Sequence, residues 1–327
     1  MGDGGFSKVL VPLDGSEVTE SILPYVAQLA KGLEIPVVVL SVIEELAHGR
    51  TASRRQSVYK ELGRRANKRL REVADRLNRG GVRAEAVTTR GRAADEIVLA
   101  AEQHGCDLIA MTTHGRNLIA RGILGSVTDR VVHSSELPVL MITPERAATY
   151  GGSWFRGFSK ATEGMMNKIM VPLDGSPLAE TVLPYVQALA GKLSLRVLLV
   201  RVIQGLRVEW LDWQQSSPAD TEEEKEAELE AGAYLEKISE TFRGAGMDTR
   251  WQVLAGHPAT VIAELAQLEP HDIIALASRG GDHWPLGSVA EALVRATADP
   301  ELVVTQRKGG YAAGPGSVVA PPAPGLT

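Results

Sequence analysis

The feature that most narrows what this chain can fold into is an internal repeat. Val9 to Ile43 aligns with Ile169 to Ile203 at a spacing of 160, with 17 of 35 positions identical. Both copies carry Val-Pro-Leu-Asp-Gly-Ser (Val11 to Ser16, Val171 to Ser176) and Leu-Pro-Tyr-Val (Leu23 to Val26, Leu183 to Val186). Further on, Gly91 and Gly256, Asp107 and Asp272, and Gly115 and Gly280 recur at a spacing of 165, and Gly125-Ser126-Val127 returns as Gly287-Ser288-Val289. A period of this length is far beyond that of solenoid repeats, so each copy is expected to bury a core of its own. The 327 residues then divide into a domain over residues 1–145, a linker over 146–166, a second domain over 167–308 and a Gly/Ala/Pro tail over 309–327, expected to be mobile. Trp154, Phe155 and Phe158 in the linker are read as anchors against a domain.

Within a copy, short apolar runs alternate with longer amphipathic ones. Strands are expected at Val9 to Leu13, Val37 to Ile43, Val82 to Val87, Asp107 to Met111 and Val139 to Ile142. Helices are expected up to Leu33, from Ser57 to Arg79, from Ala93 to Gln103 and from Ser126 to Ser134. This order gives an α/β class: two tandem open, parallel, five-stranded sheets with helices on both faces. Pro24 and Pro184 fall inside the first helix of each copy and are read as a kink in one helix.

Formal net charge is −5, which supplies no global attraction for nucleic acid or an anionic membrane, so neither is expected as a partner. No apolar run approaches the roughly 20 residues of a membrane helix, and the amino terminus does not resemble a signal peptide. The single Cys106 has no disulfide partner within the chain and reads as a small buried hydrophobe. A reducing, cytoplasmic location is the expectation.

Ligands of open parallel sheets bind beyond the carboxyl ends of the strands, where helix amino termini present free amides. Two loops of the first copy belong there. In the first, Asp14 follows the strand, and Ser16 fits a helix cap, as does Ser176 before Pro177 in the second copy. Asp14 suits ribose hydroxyls or a magnesium ion; the alternative is that it only caps the helix. The second loop runs from Met111 through Gly115 to Gly125 and Ser126, with Ser126 and Asp129 spaced as a capping box. Its glycines suit close approach of amides to a polyphosphate. His114 and His283 are loop histidines, open to phosphate contact or simply solvated. No catalytic triad spacing and no Gly-Lys-Ser/Thr phosphate loop occurs.

These motifs together resemble the universal stress protein family, over nearly the whole chain outside linker and tail: Val-Pro-Leu-Asp-Gly-Ser, Thr-Thr-His-Gly, Leu-Gly-Ser-Val and Leu-Pro-Val-Leu. The resemblance implies an adenine-nucleotide alpha-hydrolase-like, Rossmann-like fold. The family's ATP-binding members carry Gly, two residues, Gly, nine residues, Gly, then Ser or Thr. This chain keeps the spacing at Thr112, Gly115, Gly125 and Ser126, with Thr112 in place of the first glycine. By that resemblance Asp14 contacts ribose, and the Val42 backbone faces adenine with Pro12, Leu13 and Met111 near. Thr112, Gly115, Gly125, Ser126, Val127 and Thr128 then line the phosphates of ATP, which Mg2+ can accompany. The expected role is a nucleotide-responsive stress regulator that changes conformation or association. The alternatives are a slow ATPase or adenylate-using enzyme, and a ligand-free interaction scaffold. Family domains pair through their last strands, so Val139 to Ile142 and Leu302 to Thr305 are candidate edges for an internal pseudo-dimer, with a further homodimer as an extension.

In the second copy the matching positions are Asp174, Val202, Ala277, Gly280, Gly287 and Ser288. Only six residues separate Gly280 from Gly287, three fewer than in the first copy, and they include Trp284-Pro285. The loop loses up to about 10 Å of reach, so the first copy is expected to bind nucleotide more tightly. The copies also differ in charge. Arg54 to Arg79 holds ten Lys/Arg and three Asp/Glu, whereas Asp220 to Arg243 holds nine Asp/Glu and three Lys/Arg. The helices are either solvated faces or surfaces that attract each other, within or between chains, or the basic one recruits an acidic partner.

Overall fold

The computed structural model describes residues 5–44, 52–113, 124–143, 166–204, 222–268, 272–279, 288–296 and 299–306. The linker aromatics, the tail, His114, Gly115, Gly280, His283, Trp284, Pro285 and Gly287 lie outside the described residues.

The first half contains β1 (Val9–Pro12), α1 (Glu17–Glu20), α2 (Leu23–Leu33), β2 (Val37–Ile43), α3 (Ala52–Arg79), β3 (Ala84–Arg90), α4 (Ala93–Gln103), β4 (Leu108–Thr112), α5 (Ser126–Ser134) and β5 (Val139–Ile142). The second repeats it as β6 (Lys168–Pro172), α6 (Pro177–Glu180), α7 (Leu183–Leu193), β7 (Arg196–Ile203), α8 (Glu222–Gly244), β8 (Thr249–Ala255), α9 (Pro258–Leu268), β9 (Ile273–Arg279), α10 (Ser288–Ala296) and β10 (Glu301–Gln306). Each half is a parallel sheet, in the orders β3-β2-β1-β4-β5 and β8-β7-β6-β9-β10. The two meet edge to edge: β10 pairs antiparallel with β5, Leu302 opposite Leu140, so one ten-stranded sheet crosses the whole molecule.

Strand alternation sends side chains to two cores, each continuous across the halves. Leu140, Ile142, Leu302 and Val304 join Tyr25, Leu29, Leu77 and Phe242 on one face. Val139, Met141 and Val303 join Ile97, Val131, Ile262 and Leu293 on the other. The repeated tyrosine works across this seam. The Tyr25 hydroxyl donates to the Asp272 carbonyl of the second half at 2.8 Å, and the Tyr185 ring stacks at 5.8 Å on Phe6 of the first. The repeated aspartates are structural anchors. Asp107 accepts from the amides of Ser7 and Lys8 and from the Ser7 hydroxyl. Asp272 accepts from the amides of Asn167 and Lys168.

Three sequence expectations are corrected. The first helical stretch is two helices: α1 ends before the Ser21-Ile22 turn and α2 restarts at Leu23, with Pro24 in its first turn, where the missing N–H removes no helical bond; Pro184 repeats this in α7. The third strand runs Ala84–Arg90, later than the alternation at Val82 to Val87 suggested, because pairing with β2 continues through Val42 opposite Thr89 and Ile43 opposite Arg90. The oppositely charged helices do not meet within the chain. α3 lies over β2 and β3 and α8 over β7 and β8, at opposite ends of the sheet.

Candidate functional site

In each half the strand order reverses between the first strand and its fourth, β1 with β4 and β6 with β9. Connections leave such a point in opposite directions and open a crevice beyond the carboxyl ends. Asp14 follows β1, and the segment leading to α5 follows β4, so the two loops singled out by sequence leave neighbouring strands at the same end.

The Asp14 loop is rigidly built. The Leu13 amide donates to the Leu40 carbonyl at 2.7 Å, tying the loop to β2. Gly15 has φ +78° and Gly175 φ +82°, a left-handed conformation that explains a glycine in both copies. Ser16 caps α1 by accepting from the Thr19 amide, and Ser176 caps α6 by accepting from the Ala179 amide. Asp14 is therefore not the cap: its Oδ1 accepts from the Ser16 amide and the Thr19 hydroxyl, both at 2.8 Å. Asp174 keeps the bond from the Ser176 amide, also at 2.8 Å, while Ala179 replaces the threonine.

After β4 the described residues on either side of positions 114–123 are tied together. The Gly125 amide donates to the Thr113 carbonyl at 2.8 Å, and the Thr128 hydroxyl donates to the Thr112 carbonyl at 2.9 Å. Thr112 is a strand residue whose backbone carbonyl holds α5 in place, a contact that any residue type, glycine included, would supply. Gly125 is the N-cap of α5 and Ser126 its first helical residue, so the spacing of Ser126 and Asp129 does not form a capping box. The first helical bond runs from the Asp129 amide to the Gly125 carbonyl. The amides of Ser126, Val127 and Thr128 thus have no acceptor within the helix and point from its positive end.

The side chains of most other expected positions pack into the cores. Leu13, Met111, Thr112 and Thr128 are buried, and Val42 and Val202 pack against the second core. Pro12 is half-buried at the end of β1, and Ala277 packs against the first core from β9. Ser288 opens α10.

Beside Ser126 and Val127 lies a cleft of about 370 Å³ that sequence reasoning did not assign. Glu44 beyond β2, Gly91 to Asp95 at the start of α4, and Arg130 on α5 complete its lining. The N-cap of α4, Arg92, also makes no side-chain cap. Two uncapped helix starts therefore face one cleft, with Arg92 and Arg130 on either side of Asp95 at 3.6 and 3.7 Å. The sequence held a partial signal: Arg92 follows a repeated glycine, and Arg130 stands one helical turn beyond Ser126. Neither arginine recurs; the second copy has His257 and Ala292 there.

The second half also differs near its Asp174 loop. A Cβ on Gly175 would meet the Arg201 guanidinium at 3.2 Å, and that guanidinium stands 5.0 Å over the Tyr234 ring. In the first half the matching strand residue is Ser41, and the residue matching Tyr234 is Arg69, which pairs with Glu20. Among the described residues, no group of three or more His, Cys, Asp or Glu is arranged to hold a metal ion. Among the described residues, no helix is long and apolar enough to cross a membrane.

Comparison with known proteins agrees with this architecture. A model of the universal stress protein family matches residues 5–143 and 165–305. A universal stress protein of Methanocaldococcus jannaschii is 30% identical over 146 residues, covering 43% of this chain and 84% of that protein. One of Methanothermobacter thermautotrophicus is 32% identical over 141 residues, covering 42% of this chain and 95% of that protein. The crystal structure of a universal stress protein from Archaeoglobus fulgidus shares the fold at a TM-score of 0.64 with 22% identity, over 91% of this chain and 98% of that one. With both halves matched and both built on one strand order, the chain belongs to the universal stress protein family and carries the family's domain twice in tandem.

Proposed function

We propose that the first half binds an adenine nucleotide, ATP in particular, and that the protein acts as a nucleotide-responsive stress regulator through conformation or association. The observation that carries this reading is the pinned neck at Thr113 and Gly125, which holds three unclaimed amides of α5 at the crevice where Asp14 leaves β1. Amides at a helix start favour the phosphate tail, while a carboxylate, an acceptor with several lone-pair sites, suits ribose hydroxyls. Leu13, Met111 and Val42 supply backbone and apolar surface for the base, as the family resemblance implies. Mg2+ can accompany the phosphates. The reading takes domain limits of 1–145 and 167–308.

The first half is the tighter site. Its loop before α5 is three residues longer, and Ser41 stands at the strand position from which Arg201 reaches the Asp174 loop in the second half. Calorimetric titration of the full chain with ATP tests this. Asp14→Ala weakens ATP binding about tenfold, the worth of one hydrogen bond to a charged group. Asp174→Ala removes the same turn bond in the other half and leaves that affinity unchanged. Equal effects, or no binding by the unmodified chain, overturn the reading.

A further inference from the structure

The two longest helices are equivalent in the repeat and opposite in charge. α3 holds ten Lys/Arg against three Asp/Glu, a net of +7, and α8 holds eight Asp/Glu against three Lys/Arg, a net of −5. Their charge is at the surface: Arg64 and Lys68 are exposed on α3, as are Glu226 and Glu230 on α8. Pairs inside α3, such as Glu61 with Arg64 and Arg65, leave its net sign intact. Glutamates in the first turn of α8 complement the helix dipole, but Glu226, Glu228 and Glu230 lie beyond that turn, and the dipole does not account for them.

The joined sheet gives this asymmetry a direction. β3 and β8 are its two ends, and nine strand spacings of ~4.8 Å separate them by about 40 Å. That is several Debye lengths at physiological salt, so the two charged ends do not act on each other within one chain. Between copies, three end contacts are available. α3 against α3 and α8 against α8 bring like charges together, and only α3 against α8 attracts. Each end also exposes a leucine, Leu62 at 39% and Leu229 at 75%.

We propose that the second-copy surface of this protein is its own opposite end: the basic α3 end of one chain docks on the acidic α8 end of the next, head to tail. Such a contact is heterologous, so each added copy presents a fresh end and growth does not stop at a dimer. Exposed ion pairs are individually weak, so the contact is weak singly and strongly salt-dependent.

Sedimentation velocity of the full chain over a concentration series tests it. At ~20 mM salt the mean sedimentation coefficient rises past that of a dimer, and at ~300 mM it returns to the monomer value, as screening requires. The triple variant Arg64→Gln, Lys68→Gln, Arg71→Gln and the triple variant Glu223→Gln, Glu226→Gln, Glu230→Gln each weaken association about tenfold or more. Mixed, they form a one-to-one pair that does not extend, because each keeps one competent end. Circular dichroism confirms that both variants fold. A monomer at low salt, a closed dimer as the end point, or association unchanged in both variants overturns the proposal.

Discussion

Tyr25 of the first half donates its hydroxyl to the backbone carbonyl of Asp272 in the second, 247 positions away, at 2.8 Å. Its ring is fully buried in the core shared by the halves. The same aspartate uses its carboxylate to hold the amides of Asn167 and Lys168 at the start of β6, so the tyrosine docks on an already fixed point. Tyr25→Phe keeps the packing and removes one hydrogen bond between the halves, which costs about 1 kcal/mol. Urea unfolding shows a lowered midpoint with an unchanged slope if packing is preserved.

The seam also contains a carboxyl group in an unfavourable place. Glu301 stands opposite Met141 on β10 and is 3% exposed. Burial pushes its pKa well above the usual carboxylate range, and the negative charge of Asp299 adds to this. A carboxyl whose pKa is raised in the folded state stabilises fully below its unfolded value and loses that contribution as pH rises through the folded value. Stability therefore declines from about pH 5 toward higher pH on account of this residue. In Glu301→Gln that slope is reduced, and the variant exceeds the unmodified protein at about pH 8 while the two converge near pH 4. Paired urea titrations at the two pH values measure the difference; parallel pH profiles would contradict it.

Much of this was legible in the sequence because short-range chemistry decides it. The limits of α4 and α5, of β2 and of β5 follow from apolar runs closed by glycine, serine or proline, and Ser16 and Ser176 cap as their positions indicate. The edges expected to join do so, Leu302 against Leu140. What was not legible depends on tertiary neighbours. Pro24 looks like a kink until Ser21 and Ile22 are seen to break the helix before it. Arg92 and Arg130 look like ordinary solvated positions on two amphipathic helices, and only the packing of α4 beside α5 turns them toward one cleft. Asp107 marked the repeat, but nothing local announces that it ties β1 to β4.

Cys106 illustrates a position that both readings leave inert. It is 5% exposed in the second core, and burial, ahead of the neighbouring acids, pushes its thiol up to about 11. At pH 8 roughly one molecule in a thousand carries the thiolate, the reactive form. Alkylation of the native protein is therefore slow and speeds up about tenfold per pH unit, whereas in denaturant it proceeds at the rate of an ordinary cysteine. Mass spectrometric labelling across a pH series reads both limits.

If the first half binds ATP as proposed, the cleft beside Ser126 is where phosphate number is expected to be distinguished. Asp95 sits between Arg92 and Arg130, each guanidinium within 3.7 Å, so one carboxylate is shared by two cations. Glu44 adds a second negative charge to the lining, and the two uncapped helix starts offset it with roughly half a positive charge each. The lining then carries a net excess of roughly one positive charge, the sign that the terminal phosphates of ATP would require. Arg130 is the sharper probe, because it follows Ser126 by one turn on the helix whose amides are unclaimed. Arg130→Gln weakens ATP binding about tenfold, as expected for one charge-assisted hydrogen bond, and shifts AMP affinity less than about twofold. Raised salt reduces the ATP preference of the unmodified protein and leaves that of the variant nearly flat. Calorimetric titrations with ATP, ADP and AMP at two salt concentrations give the full pattern, and equal losses for ATP and AMP would place the arginine outside the phosphate path.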